Sequence, residues 1–207
     1  MFVAIDDLLR PLYPHLTAAD QCYFLRDYTA GRGYAGSETN QLILNLKKPP
    51  GRRGTPEWRY KERAIQQVAR EFRESVNLTA LRRVTLVPMP PSKVKGDPLY
   101  DDRMLQMLRA VDVEHQLDIR ELLLSTASMN AAHVSSTRPT IAQLIANFVV
   151  DDALADPAPT TIALVDDVLT TGAHFAAAKA VLTKRFPGSS IRGLFVARRV
   201  HDEPNRV

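Results

Sequence analysis

The sequence predicts an α/β fold, a mostly parallel sheet flanked by helices, with a helical N-terminal extension. Three observations carry that expectation. Residues 84–87, 162–165 and 191–197 are short, β-branched or apolar runs of strand length, and a strand that is apolar at every position suits a sheet covered on both faces. Between and before them lie stretches of helical period, among them the stripe Trp58, Ile65, Val68, Phe72 and Val76 and the Ala-rich residues 173–186. Strands alternating with helices call for parallel crossovers. The 207 residues, 45% hydrophobic, suffice for one such core.

Taken in order, the chain opens with an expected helix near residues 6–12 and a second near 18–27. A loop at 30–36 follows, whose glycines give only a weak dinucleotide match because no apolar strand precedes them. Helix is expected again over 38–46, broken by Pro49, Pro50 and Gly51, and then over 57–75. Residues 1–80 are thus read as a helical extension packing on a core of residues 81–207. In that core, strand 84–87 leads to a helix near 100–110 and a strand near 119–124. A helix near 140–147 and a Pro-containing linker at 151–159 lead to strand 162–165, helix 173–186 and strand 191–197. Residues 125–138 are polar without a clear period, which fits either a mobile loop or a plain connector.

Composition narrows the function classes. Cys22 is the single cysteine, so an internal disulfide and a multi-cysteine zinc module are excluded. No apolar run approaches the length of a membrane span, and the first ten residues carry Asp6 and Asp7 rather than a basic, apolar signal. A cytoplasmic location without membrane contact is expected, and assembly into a homo-oligomer is left open. The net charge is +4, but residues 47–63 alone hold seven cations, from Lys47 to Arg63, against two acids. With Trp58 and Tyr60 interleaved, that segment suits a single-stranded nucleic acid, while the stripe starting at Trp58 suits core packing.

The richest stretch is residues 162–174. An apolar strand ends in Asp166 and Asp167, and Thr170, Thr171, Gly172, Ala173 and His174 lead into a helix. The helix start offers backbone N–H groups, hydroxyls and a favourable dipole to an anion. Paired carboxylates at a strand end can accept hydrogen bonds from vicinal hydroxyls, so the combination fits a phosphorylated sugar. The plainer reading is an acid pair that merely caps a helix. Upstream, strand 84–87 runs into Pro88, Met89, Pro90, Pro91, Ser92 and Lys93, either an ordinary Pro-rich turn or a second anion loop.

Residues 165–172, Val-Asp-Asp-Val-Leu-Thr-Thr-Gly, resemble the phosphoribosyl pyrophosphate (PRPP) motif of type I phosphoribosyltransferases. With residues 87–93, Tyr100, Arg103, Asn147, Phe148 and residues 194–199, the chain is similar to the ComF/GntX-like members, without their N-terminal zinc module. The resemblance implies a glycosyltransferase that uses Mg²⁺ and lets a nitrogenous base displace pyrophosphate from PRPP. It implies that Asp166 and Asp167 hold the ribose hydroxyls and that residues 170–174 hold the 5-phosphate. The loop 88–93 would bind pyrophosphate through Lys93 and the N–H groups of Met89 and Ser92, with His133 and Arg138 on a lid. Catalysis would rest on Asp166, Asp167 and Lys93, with Mg²⁺ held through PRPP and water rather than by direct protein ligands. His174 stands where the family has a small hydroxyl residue, and residues 98–103 depart from the family pattern. The alternative implied is a non-catalytic PRPP- or nucleotide-sensing module in DNA uptake, regulation or phage defence.

Overall fold

The computed structural model describes residues 1–129 and 139–200. In chain order the elements are β1 (Val3–Ala4), β2 (Gln21–Thr29), α1 (Glu38–Leu46), α2 (Trp58–Glu74), α3 (Leu78–Leu81), β3 (Thr85–Pro88), α4 (Arg103–Val111), β4 (Asp118–Ile119), β5 (Leu123–Ser125), α5 (Ile141–Asn147), β6 (Phe148–Val150), β7 (Thr161–Leu169), α6 (Ala173–Arg185) and β8 (Ser190–Val200). Six strands form one sheet in the order β1-β2-β8-β7-β3-β4, parallel throughout except for β1 on β2. A hairpin-like pair, β5 and β6, stands apart. The α/β class and the mostly parallel sheet are therefore present.

The N-terminal part differs from expectation. Residues 21–29 form β2, inside the sheet beside β8, where a helix was expected over 18–27. Cys22 and Phe24 turn to one face and are buried, so the period in this stretch is two. Aromatic residues in a short segment fit a half-buried pleated surface better than a helix. The helix expected at 6–12 shrinks to a single 3₁₀ turn at Arg10–Leu12. Residues 1–80 therefore supply a sheet strand as well as helices, rather than a helical extension. Helices 38–46 and 57–75 stand where the apolar periods place them, the first capped by Ser37 Oγ, which accepts from Asn40 N at 3.0 Å.

Two apolar layers cover the sheet. On one face Ile162 and Leu164 of β7 pack with Phe175, Ala177, Ala178 and Leu182 of α6 and Leu144 of α5. On the other, Ala163 and Val165 pack with Leu42, Ile43 and Leu46 of α1, Ile65, Val68 and Phe72 of α2, and Met107 and Leu108 of α4. Every residue of strand segment 162–165 is buried, which explains its continuous hydrophobicity.

Connectivity sets where a ligand can enter. From β3 the chain crosses through α4 to β4, outward on one side, while from β7 it crosses through α6 to β8 on the other. These helices lie on opposite faces. The neighbours β3 and β7 therefore flank a topological switch point, and the loops leaving their carboxyl ends border a crevice there.

Candidate functional site

Strand β7 continues four residues beyond Val165, so the acid pair lies within the strand and not after it. Asp166 pairs with Phe195 and is half-buried, while Asp167 is only 4% exposed. Consecutive residues of a strand face opposite sides, and the two carboxylates accordingly meet opposite surroundings.

Asp167 turns to the α1, α2 and α4 side. Its Oδ1 lies 2.9 Å from Lys47 Nζ at the end of α1, and its Oδ2 accepts from Arg103 Nε at 3.0 Å and also from Arg103 Nη2. Arg103 Nη1 in turn donates to Asp101 Oδ2 at 2.8 Å, and the same oxygen takes Lys61 Nζ at 2.7 Å. Lys61, 1% exposed, also donates to the carbonyls of Leu46 and Lys48 at 2.9 and 2.8 Å, which satisfies backbone acceptors at the end of α1. Burial alone would raise the Asp167 pKa, but Lys47 and Arg103 outweigh it and hold the group well below the ordinary carboxylate range.

Among the described residues Asp166 has no cation in contact. Its Oδ1 accepts the Asp167 N–H at 2.8 Å, while Oδ2 has no protein partner among the described residues and is not sealed from solvent. Burial and then the neighbouring Asp167 charge raise its pKa to about 7. Of the two acids expected to hold the ribose hydroxyls, Asp167 is charged and internally paired, and Asp166 alone borders the opening.

The bend after β7 has the form that the sequence suggested. Gly172 takes φ of +86° and caps the 13-residue α6, a conformation that a residue with a side chain adopts only under strain. Among the described residues the N–H groups of Thr171, Gly172, His174 and Phe175 donate to no protein acceptor, whereas Ala173 N makes a long 3.4 Å bond to Thr171 Oγ1. From below, His15 N donates to Thr171 O at 3.1 Å and the Leu16 side chain lies against Gly172, so the N-terminal segment braces the bend. His174 is exposed at its mouth, and Asp166, Thr170, Gly172, Ala173 and His174 line a narrow cleft of about 20 Å³.

The second loop is placed beside this cleft but is built differently from expectation. Pro88 pairs with Val165, and Met89 N donates to Val165 O at 2.8 Å, so the Met89 N–H extends the sheet and is not available to pyrophosphate. The N–H groups of Ser92 and Lys93 have no protein acceptor among the described residues. Pro90, Pro91 and Ser92 line a small hollow shared with His174 and Asn147. Lys93 instead borders a roomier cavity, about 150 Å³, with Tyr100, Asp101, Glu121 and Leu123. That cavity is thus distinct from the acid-pair cleft, with which it shares no lining residue. His133 and Arg138, the expected lid contacts, lie outside the described residues.

In the basic segment, Lys47 and Lys61 turn inward to the acids, and Ile65, Val68 and Phe72 are buried as the core stripe requires. Arg53 and Lys61 lie over the Trp58 ring at 5.3 and 5.5 Å, and Lys48 and Arg59 lie over Tyr60 at 5.3 and 5.0 Å. Both aromatics are engaged by the chain's own cations, so the segment offers charge rather than bare rings for stacking bases. The role of Arg103 and Lys61 escaped the sequence reading. A signal for Lys61 was present, since it occupies a buried position of the stripe Trp58, Ile65, Val68 and Phe72 at helical spacing. Arg103 gave no local signal, because its partner is 64 residues away.

No protein-family model, curated protein or solved structure matches the chain.

Among the described residues no cluster of three or more His, Cys, Asp or Glu side chains could hold a metal. A hard cation that keeps its waters and the oxygens of a bound phosphate needs no such cluster, and one open carboxylate such as Asp166 fits it. No helix is long and apolar enough to cross a membrane among the described residues.

Proposed function

We propose that the protein binds PRPP with Mg²⁺ at the crevice between β3 and β7 and acts as a phosphoribosyltransferase toward a nitrogenous base or similar nucleophile. One observation carries the reading: at a switch point of a parallel sheet, a helix-initiating bend with unclaimed N–H groups at Thr171, Gly172, His174 and Phe175 stands next to the open carboxylate Asp166. The bend holds the 5-phosphate, whose binding orients the sugar without joining the reaction. Asp166 accepts from a ribose hydroxyl and places negative charge near the ring carbon, where positive charge grows as the bond to pyrophosphate stretches. The Ser92 and Lys93 N–H groups face the departing pyrophosphate. Asp166, together with the ligand's phosphates and water, would hold Mg²⁺, which would supply neutralisation of that leaving group.

A second reading keeps the pocket and omits turnover. The capture of both Asp167 oxygens by Lys47 and Arg103 favours it, since only one acid is then ready for hydroxyls. Titration calorimetry with PRPP and Mg²⁺, followed by pyrophosphate release over a panel of bases, separates the two. Transferase activity gives release with at least one base, sensing gives binding without release, and no detectable binding removes both.

A further inference from the structure

Lys47 and Arg103 hold the same carboxylate in unlike ways. Arg103 is 20% exposed at its side chain, makes contacts through Nε, Nη1 and Nη2, and is fixed from behind by Asp101, itself paired to buried Lys61. Lys47 is 40% exposed at its side chain and reaches Asp167 Oδ1 through one contact from the C-cap position of α1. A planar guanidinium with several bonds is pinned, whereas an ammonium on a four-carbon stem can turn about its bonds at small cost. With Lys47 turned away, Asp167 Oδ2 would still accept from Arg103 Nε and Nη2. The sugar-phosphate reading would bring a highly anionic group to the neighbouring loop.

Resting on that reading, we propose that Lys47 is a polyphosphate-binding residue that exchanges partners: it holds Asp167 while the site is empty and turns to the ligand's diphosphate when it is filled, which frees Asp167 Oδ1 for a hydroxyl of the sugar. Arg103 stays on Asp167 Oδ2 throughout and keeps that carboxylate charged and oriented. The exchange replaces one charge pair by another, so it costs little, and it restores the second acceptor of the acid pair only when the correct ligand is present. The two ends of the ligand are thereby coupled through one side chain, and the site takes a molecule carrying both vicinal hydroxyls and a diphosphate in preference to either part alone.

Calorimetry of the full chain with three probes, PRPP, inorganic pyrophosphate and ribose 5-phosphate, each with Mg²⁺, tests this with Lys47→Met, Lys47→Arg and the neighbouring control Lys48→Met. The expected result is about 10- to 100-fold weaker binding of PRPP and pyrophosphate by Lys47→Met. Ribose 5-phosphate should bind that variant as well as or better than the parent, Lys47→Arg should recover most of the loss, and Lys48→Met should match the parent. Circular dichroism and urea unfolding confirm that each variant is folded. Unchanged PRPP binding by a folded Lys47→Met protein overturns the exchange and leaves the sugar-phosphate reading standing. A uniform loss for all three probes overturns it as well and makes Lys47 a structural prop. Failure of the parent protein to bind PRPP removes the exchange together with the reading beneath it.

Discussion

The two walls of the crevice, entered by neighbouring residues of one strand, are built on opposite physical terms. On the wall facing α1, α2 and α4, Asp167 ends a chain of alternating charges that runs through Arg103 and Asp101 to Lys61 and closes the last turn of α1. On the wall facing α6, Asp166 and four N–H groups of the bend have no charged protein partner in contact among the described residues. Polar groups that satisfy one another hold helices in place, and polar groups left open can take a ligand. The contrast teaches that adjacent, chemically identical carboxylates differ by the side of the sheet each one faces: with the site empty, Asp167 is held by the chain's own cations and Asp166 stands open.

The strongest way to break that contrast is Arg103→Leu. It leaves Asp167 and Asp101 buried without their shared cation, and a loss of about 3–5 kcal/mol in urea unfolding is expected. A loss below about 1 kcal/mol would show that the charged wall is not what fixes α4 against β7. A smaller effect is expected from Gly172→Ala. The alanine would have to hold φ of +86° with its Cβ 2.8 Å from Leu16 Cδ2, so about 1–3 kcal/mol should be lost, with a matching loss of phosphate binding. Retained stability and retained binding of ribose 5-phosphate would show that the bend tolerates a side chain.

The smallest effect sharpens the comparison through pH. Asp166 is raised toward about 7, so between about pH 4 and that value the folded protein binds more protons than the unfolded chain, and its contribution to stability falls as pH rises. Asp166→Asn removes that loss, and the variant should gain stability relative to the parent as pH rises from about 4 to about 7. Asp167 has the opposite sign: its lowered pKa gives stability that is present above about pH 4 and lost as pH falls below it. Parallel pH–stability curves for the parent and Asp166→Asn would place the raised carboxyl elsewhere.

Much of this architecture is written locally. The apolar runs at 84–87 and 162–165 become β3 and the first half of β7, and the stripe from Trp58 to Phe72 becomes α2, because burial on two faces or on one leaves a period in the residues themselves. β2 was not legible as a strand. Gln21–Thr29 mixes aromatic with charged residues, and its pairing with β8 joins positions more than 160 residues apart. The bend at Gly172 was legible, since glycine before a helix reports a local backbone need. The lock on Asp167 was not.

The order of residues by itself determined the βα alternation, the acid pair, the glycine bend and the absence of a cysteine framework, since each depends on neighbours within a few positions. Only the tertiary structure decided that Lys47 and Arg103 converge on Asp167, with Asp101 and Lys61 behind Arg103, and that Asp166 is left open. Ion pairing depends on distances of a few ångströms between elements far apart along the chain, and such distances exist only once the sheet has chosen its strand order and its helices have chosen their faces.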